Sequence, residues 1–153
     1  MTTVPVSFKL KCTWVSNPIT VDIQCDGKSL WTGEIDSEND VPCNLEIEDG
    51  DHELSIVVTG HGKHNIIWND KTHEVDKHTI LELVDLEMDS ISVYEVVCTR
   101  SKWYAVMDED FIEARIKRDG KPPEEWERSV TFGVNGTWKM PFSTPLYLSL
   151  IHI

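Results

Sequence analysis

The chain has 153 residues, 40% of them hydrophobic, and sets 27 acidic side chains against 14 basic ones for a formal charge of −13. That length suits one domain able to withdraw about two thirds of its unfolded surface from water, and the acidity excludes a surface built for nucleic acid or anionic membrane, both of which need clustered Lys and Arg. No run approaches the ~20 apolar residues of a bilayer span, and Met1-Thr2-Thr3-Val4-Pro5 lacks the order of a secretion signal, so a soluble product without a signal peptide is expected.

Val6, Phe8, Leu10, Cys12 and Trp14 alternate with Ser7, Lys9, Lys11 and Thr13, the two-residue period of a half-buried strand. Asn17-Pro18 breaks it, and a second strand over residues 20–25 sets Val21, Ile23 and Cys25 on one face. Asp26-Gly27 accepts positive φ and predicts a hairpin into residues 29–35. Residues 36–40 are a polar loop, and Asp49-Gly50-Asp51 predicts a second hairpin joining residues 44–48 to 52–58. A glycine-rich connection over 60–64 and a polar loop over 70–77 precede a strand over 79–84. Residues 80–97 then mix apolar and acidic positions over two or three strand lengths, with Ile91, Val93, Val96 and Val97 as core contributors.

Residues 108–120 depart from this pattern. Acids lead, bases follow, and Gly120, Pro122 and Pro123 stop the run, while Phe111, Ile112, Arg115 and Ile116 form a stripe at helical spacing, which predicts one short helix. Asn135-Gly136 predicts a third hairpin between residues 129–134 and 137–142, and residues 146–153 a last strand, paired or buried. The sum is a mainly β protein, an antiparallel β-sandwich of jelly-roll or carbohydrate-binding-module type with one short helix. It reads as one domain over 1–153, with the sandwich in residues 1–106 and an appended helix and closing hairpin in 107–153.

Catalysis finds no signature: there is no Gly-x-Ser-x-Gly elbow, no phosphate-cradling glycine loop and no cysteine in an activating motif, so a non-enzymatic role is expected. Cys12, Cys25, Cys43 and Cys98, widely spaced and without a Cys-x-x-Cys pair, read as reduced thiols. Three groups remain as binding candidates. His61 and His64, with Asp70, Glu74 and Asp76 nearby, are of the types that ligate a transition metal, although histidines in polar loops are usually solvated. Acidic clusters at residues 36–40, 46–51 and 85–89 supply the oxygens calcium requires, without EF-hand spacing, and Asp85, Asp89 and Asp76 are its candidate ligands. Six tryptophans in a short chain are the third group. Sugar rings lay their C–H faces on aromatic planes, which nominates Trp68 and Trp103-Tyr104 as platforms, against core packing as the commoner use of a large aromatic.

Two stretches resemble known groups. His52-Glu53-Leu54-Ser55-Ile56, a glycine-containing polar loop, and Leu83-Val84-Asp85-Leu86-Glu87-Met88-Asp89-Ser90-Ile91 resemble the strand, loop and strand order of calcium-dependent xylan-binding modules. The resemblance implies a β-sandwich that binds polysaccharide through a loop-held calcium, but residues 60–77 carry histidines where those modules have a long acidic loop. Asn135-Gly136-Thr137-Trp138-Lys139-Met140-Pro141-Phe142-Ser143-Thr144-Pro145-Leu146-Tyr147, with Trp126 upstream, resembles the ending of small uncharacterised virion-associated proteins of tailed bacteriophages. Together they imply a virion structural or adhesion module (capsid decoration, neck or tail fibre), made in the host cytoplasm, with other virion proteins, copies of itself or a host surface glycan as partners. The charge of −13 supports an alternative, an acidic phage-encoded inhibitor that mimics nucleic-acid charge and binds a host protein.

Overall fold

Strand β1 (Thr2–Thr13) buries Val4, Val6, Phe8, Leu10 and Cys12 on one face, as the alternation predicts. The computed structural model describes residues 2–13, 19–35, 37–60, 66–69, 74–106 and 109–144. After β1 come β2 (Ile19–Cys25), β3 (Lys28–Ile35), β4 (Glu38–Ile47), β5 (Gly50–Thr59), β6 (Ile66–Asn69), β7 (Glu74–His78), β8 (Ile80–Met88) and β9 (Ile91–Ser92). Helix α1 (Tyr94–Arg100), β10 (Lys102–Ala105), helix α2 (Glu109–Asp119), β11 (Thr131–Phe132) and β12 (Gly136–Thr144) complete the order.

Every strand pairing is antiparallel. One sheet runs β11-β8-β1-β4 with β9 on β8, the other β10-β12-β5-β2-β3, and β6 with β7 makes a separate ribbon. Their inner faces share one core, in which Trp138, Phe8, Phe132 and Leu54 are fully buried. This is the antiparallel sandwich the alternation predicts. Each wholly buried Leu, Ile or Phe side chain contributes roughly 1.5–3 kcal/mol by leaving water.

The turns are where sequence and structure part. Asp26-Gly27 makes the predicted hairpin, with φ of 52° and 83° in the two-residue turn between β2 and β3. The other two expected hairpins are corrected. β4 pairs with β1 in one sheet while β5 pairs with β2 and β12 in the other, so Asp49-Gly50 carries the chain across the sandwich. Likewise β11 pairs with β8 and β12 with β5, so residues 133–135 cross rather than fold back. Because β12 lies between β10 and β5, residues 136–144 are an inner strand, not part of an appendage beyond residue 107.

Residues 80–97 hold one long strand, one short one and a helix rather than two or three strands alone. Leu81 and Leu83 are buried, then Leu86 and Met88, a shift of phase explained by a bulge where Lys9 faces Asp85 and Leu10 faces Leu83. Ile91, expected in the core, is 55% exposed at the tip of β9. Val93, Val96 and Val97 are buried as expected, but Val96 and Val97 sit on α1. The predicted helix is α2, ending with Gly120 at φ 76°. Its apolar stripe is only partly used, since Ile116 remains 42% exposed. All four cysteines carry unbridged thiols, with Cys12 and Cys25 buried and Cys98 exposed. Burial, reinforced by the Asp26 carboxylate, pushes the Cys25 thiol up to about 11, so it stays protonated and inert. The expected strand over 146–153 lies outside the described residues, as does Trp14.

Candidate functional site

Strand β10 is the edge of its sheet, and the chain passes it once more at Glu127, whose N–H and C=O exchange hydrogen bonds of 3.0 and 2.8 Å with Trp103. Trp103 faces Trp138 across β10 and β12, and both point into the core at 2% and 0% exposure. Their sequence neighbours therefore point outward, because side chains alternate along a strand. The register sets Lys102 beside Lys139 and Tyr104 beside Thr137. Around the Trp103–Glu127 bridge it brings Arg128 beside Lys102 and Trp126 beside Tyr104.

Two rows result, one basic and one carrying the aromatics, and they interlock. Lys102 Nζ stands 4.6 Å and the Arg128 guanidinium carbon 5.1 Å from the centroid of Trp126, and Lys139 Nζ stands 5.4 Å from that of Tyr104. Such cation–ring contacts hold the rings in place at a gain of about 0.5–1 kcal/mol each at an exposed site. Arg128 also donates from Nη1 to the Ser101 carbonyl at 2.6 Å, and Lys139 reaches Glu53 at 3.9 Å. With two cations against it, Trp126 still exposes 36% of its surface.

Beside Trp126 a cleft of about 130 Å³ opens between α2 and residues 121–127. Pro122, Pro123 and Trp126 give it apolar walls, and Arg115, Lys121 and Glu125 stand at its margin. Arg115 ties α2 to this segment by ion pairs of 3.7 Å to both Glu127 and Asp119. An apolar floor with a few convergent polar groups is the arrangement small-molecule sites favour.

The sequence candidates fall in different places. Tyr104 belongs to the strip just described. Trp103 is corrected: it is a core residue, stacked on Phe132 with ring centroids 4.4 Å apart, and offers no free face to a sugar. Trp68 lies on β6 opposite Val75, and Asp76 is the extra residue at a bulge of the β6–β7 ribbon. His61 and His64 lie outside the described residues.

Asp85 sits in a shallow depression on the other sheet with Ser7, Lys9, Asp40 and Glu87. Its Oδ1 accepts from the Leu86 N–H at 2.8 Å and the Ser92 hydroxyl at 2.7 Å, and Lys9 faces both Asp40 and Asp85 across the strands. Asp89 is instead a turn residue, with φ of 56° followed by 66° at Ser90, its N–H bonded to the Pro5 carbonyl at 2.8 Å. Among the described residues no three His, Cys, Asp or Glu side chains converge as metal ligands. Asp85 and Asp89 thus stand in different settings: the first shares its depression with Lys9, whose ammonium pairs with Glu38 at 3.3 Å, and the second is committed to a turn.

His52 has a role that no spacing in the sequence announces. Its Nδ1 lies 2.6 Å from Asp26 Oδ2 and its Nε2 2.6 Å from the Glu48 carbonyl, so the ring ties the β2–β3 turn to the β4–β5 crossing. Both nitrogens face acceptors, which suits the doubly protonated ring. Burial pulls His52 toward neutrality, but the bonds to Asp26 and Glu48 and the nearby charges of Asp26 and Asp51 win and raise its pKa above 6.5. Asp26, pushed up by burial, is pulled below its usual range by His52 and by the Glu53 N–H at 2.9 Å. With Nε2 held by a backbone carbonyl, this His–Asp pair has no free nitrogen to serve a nucleophile.

The raised pKa fixes the sign of a pH dependence. The imidazolium contributes fully below the unfolded value of 6.5 and its contribution is lost as pH rises through the folded value, whereas the contribution of Asp26 is present above 3.8 and lost in acid. With Asp26 largely exposed the pair is worth at most about 1 kcal/mol, or about 2–4 °C for a chain of this size. Melting is expected to fall by that amount between pH 5.5 and 8.5, and a His52→Gln variant to lose the slope. An equal slope in the variant would assign it elsewhere.

No protein-family model matches the chain, and no curated protein does. Among solved structures it is similar to vCBM60 in complex with galactobiose, with a TM-score of 0.52 and 11% identity over 91% of this chain and 97% of that one. It is also similar to the selenomethionine form of vCBM60, described as showing that circular permutation links two families of calcium-dependent carbohydrate binding modules. There the TM-score is 0.56 at 10% identity, over 90% and 89% of the two chains. At such identities the likeness is one of fold, a β-sandwich of carbohydrate-binding-module type.

Proposed function

We propose that this chain is a non-catalytic carbohydrate-binding module that holds saccharide against Trp126. The observation that carries this reading is an exposed indole, fixed by two cations, at the lip of an amphiphilic cleft on a sandwich of carbohydrate-binding-module fold. A pyranose meets such a site with two kinds of surface, C–H faces for the ring and hydroxyls for the charged margin. The galactobiose bound by vCBM60 makes a β-galactoside the natural first probe.

The test is a glycan array probed with the purified protein in calcium and again in chelator. Binding that survives chelator is expected, because among the described residues no three carboxylates converge as metal ligands, those around the cleft beside Trp126 included. Binding that vanishes in chelator would move the site to the β6–β7 ribbon and Asp76. No binding in either condition would refute the reading.

A place on a virion, supported by the resemblance of residues 135–147, would make the module an adhesin. Its peptides should then appear in the mass-spectrometric inventory of purified particles. The charge of −13 favours a second reading as an acidic decoy for a nucleic-acid-processing host protein, and salt-labile capture of such a protein would support it.

A further inference from the structure

Resting on the reading of this chain as a saccharide binder, we infer that its ligand carries a carboxylate on the sugar ring, bound by Lys102, Arg128 and Lys139 while the ring lies on Trp126 and Tyr104. The chain has 14 basic residues against 27 acidic ones, yet three of them stand side by side in one row of this face. Adjacent strands are about 4.8 Å apart, so the row offers three cations within about 10 Å. The aromatic row lies two residues further along the same strands, about 7 Å away at the backbone, and the Lys102 and Lys139 ammonium groups lean toward it, to 4.6 and 5.4 Å from the ring centroids of Trp126 and Tyr104. One sugar unit with its C–H face on the aromatics thus presents a ring carboxylate to the cations without leaving the strip.

A neutral sugar offers such a row only hydroxyl acceptors, whereas a uronate exchanges water for charge-assisted hydrogen bonds on one edge and stacking on the other. Arg128 spends one N–H on the Ser101 carbonyl and keeps further donors for the ligand. Lys139 is shared with Glu53, but at 3.9 Å that ion pair is loose and exposed, and an incoming carboxylate competes with it on favourable terms. The net charge of −13 repels any anion from afar, but salt screens that field beyond about 8–10 Å, which leaves the local cations to decide. Aromatics with cations also suit single-stranded nucleic acid, yet that ligand needs a charged track for successive phosphates, and this row is three side chains long.

The experiment is calorimetric titration with digalacturonate, galactobiose, the corresponding sulfated galactobioside and a short oligothymidylate, at low and high salt. Digalacturonate is expected to bind at least about tenfold more tightly than galactobiose at low salt, with the gap narrowing at high salt. In a Lys102→Gln, Lys139→Gln double variant that melts like the parent, digalacturonate affinity should fall much further than galactobiose affinity, so that the gap closes. Equal affinity for the two disaccharides, or a preference that persists in the double variant, overturns the inference and leaves the saccharide reading standing. Binding only of the sulfated sugar or only of the oligothymidylate also overturns it, and binding of no saccharide at all removes both.

Discussion

Replacing Gly136 with alanine is expected to destabilise the sandwich by roughly 1–3 kcal/mol, a fall of about 2–12 °C in Tm. A Cβ at that position would lie 2.5 Å from the Tyr104 carbonyl oxygen and 2.7 Å from Cη2 of Trp103, and neither can step aside. The carbonyl belongs to β10, paired to β12 at this point, and the Trp103 indole is held against Phe132 in the core. Relief therefore requires β10 to move, and with it Lys102 and Tyr104. Gly33 makes an instructive control: its Cβ would come within 2.7 Å of Trp31, but of the far end of a half-buried ring that has room to swing. Gly33→Ala should cost well under half as much. Thermal melting of both variants checks the pair, and a Gly136→Ala protein that melts with the parent would show that the contact is not tight.

Trp126→Ala should lower saccharide affinity about 10- to 100-fold, some 1.4–2.8 kcal/mol, with Tm changed by no more than a few degrees. An aromatic anchor removed from a binding surface commonly has this effect, whereas an exposed ring contributes little to the core. What the fold loses is two cation–ring contacts, worth about 0.5–1 kcal/mol each where water has access. Calorimetry with galactobiose and digalacturonate measures the first quantity and calorimetric melting the second. Undiminished affinity in Trp126→Ala would transfer the binding role to Trp68 on β6.

The strands were legible because alternation is a local signal: β1 and β2 follow it almost residue for residue. Turn chemistry was less decisive. Asp26-Gly27, Asp49-Gly50 and Asn135-Gly136 look alike in sequence, yet only the first reverses the chain within a sheet. Which sheet the next strand joins is settled by partners far away in sequence, β12 for β5 and β8 for β11, and no dipeptide encodes that. Gly136 shows the ambiguity within one residue, since it suggests a turn and serves instead as the gap that admits Trp103.

Helix α1 was hidden by Val96-Val97, β-branched neighbours that read as strand, although Glu95 in its first turn and Arg100 in its last follow the order a helix dipole favours. The site was half visible. Tyr104 was found as one of a pair of adjacent aromatics, but alternation put Trp103 on the opposite face. Trp126 gave no sign in sequence because the cations that hold it come from β10 and from two residues downstream.

The crossings between sheets also bear on how quickly the protein forms. Among the described residues only β2–β3, β6–β7 and β8–β9 pair strands that follow one another closely, while β1 waits for β8 and β5 for β12, each some eighty residues further along the chain. Closing such long loops costs entropy before any pairing offsets it, so folding belongs to the slow, millisecond-to-second range of all-β topologies. During that interval β5 has β2 but lacks β12, and presents Leu54, Ile56 and Val58 beside an unpaired edge. The acidic surface then acquires a second use, since mutual repulsion between half-folded chains keeps those edges apart until the carboxyl-terminal strand arrives.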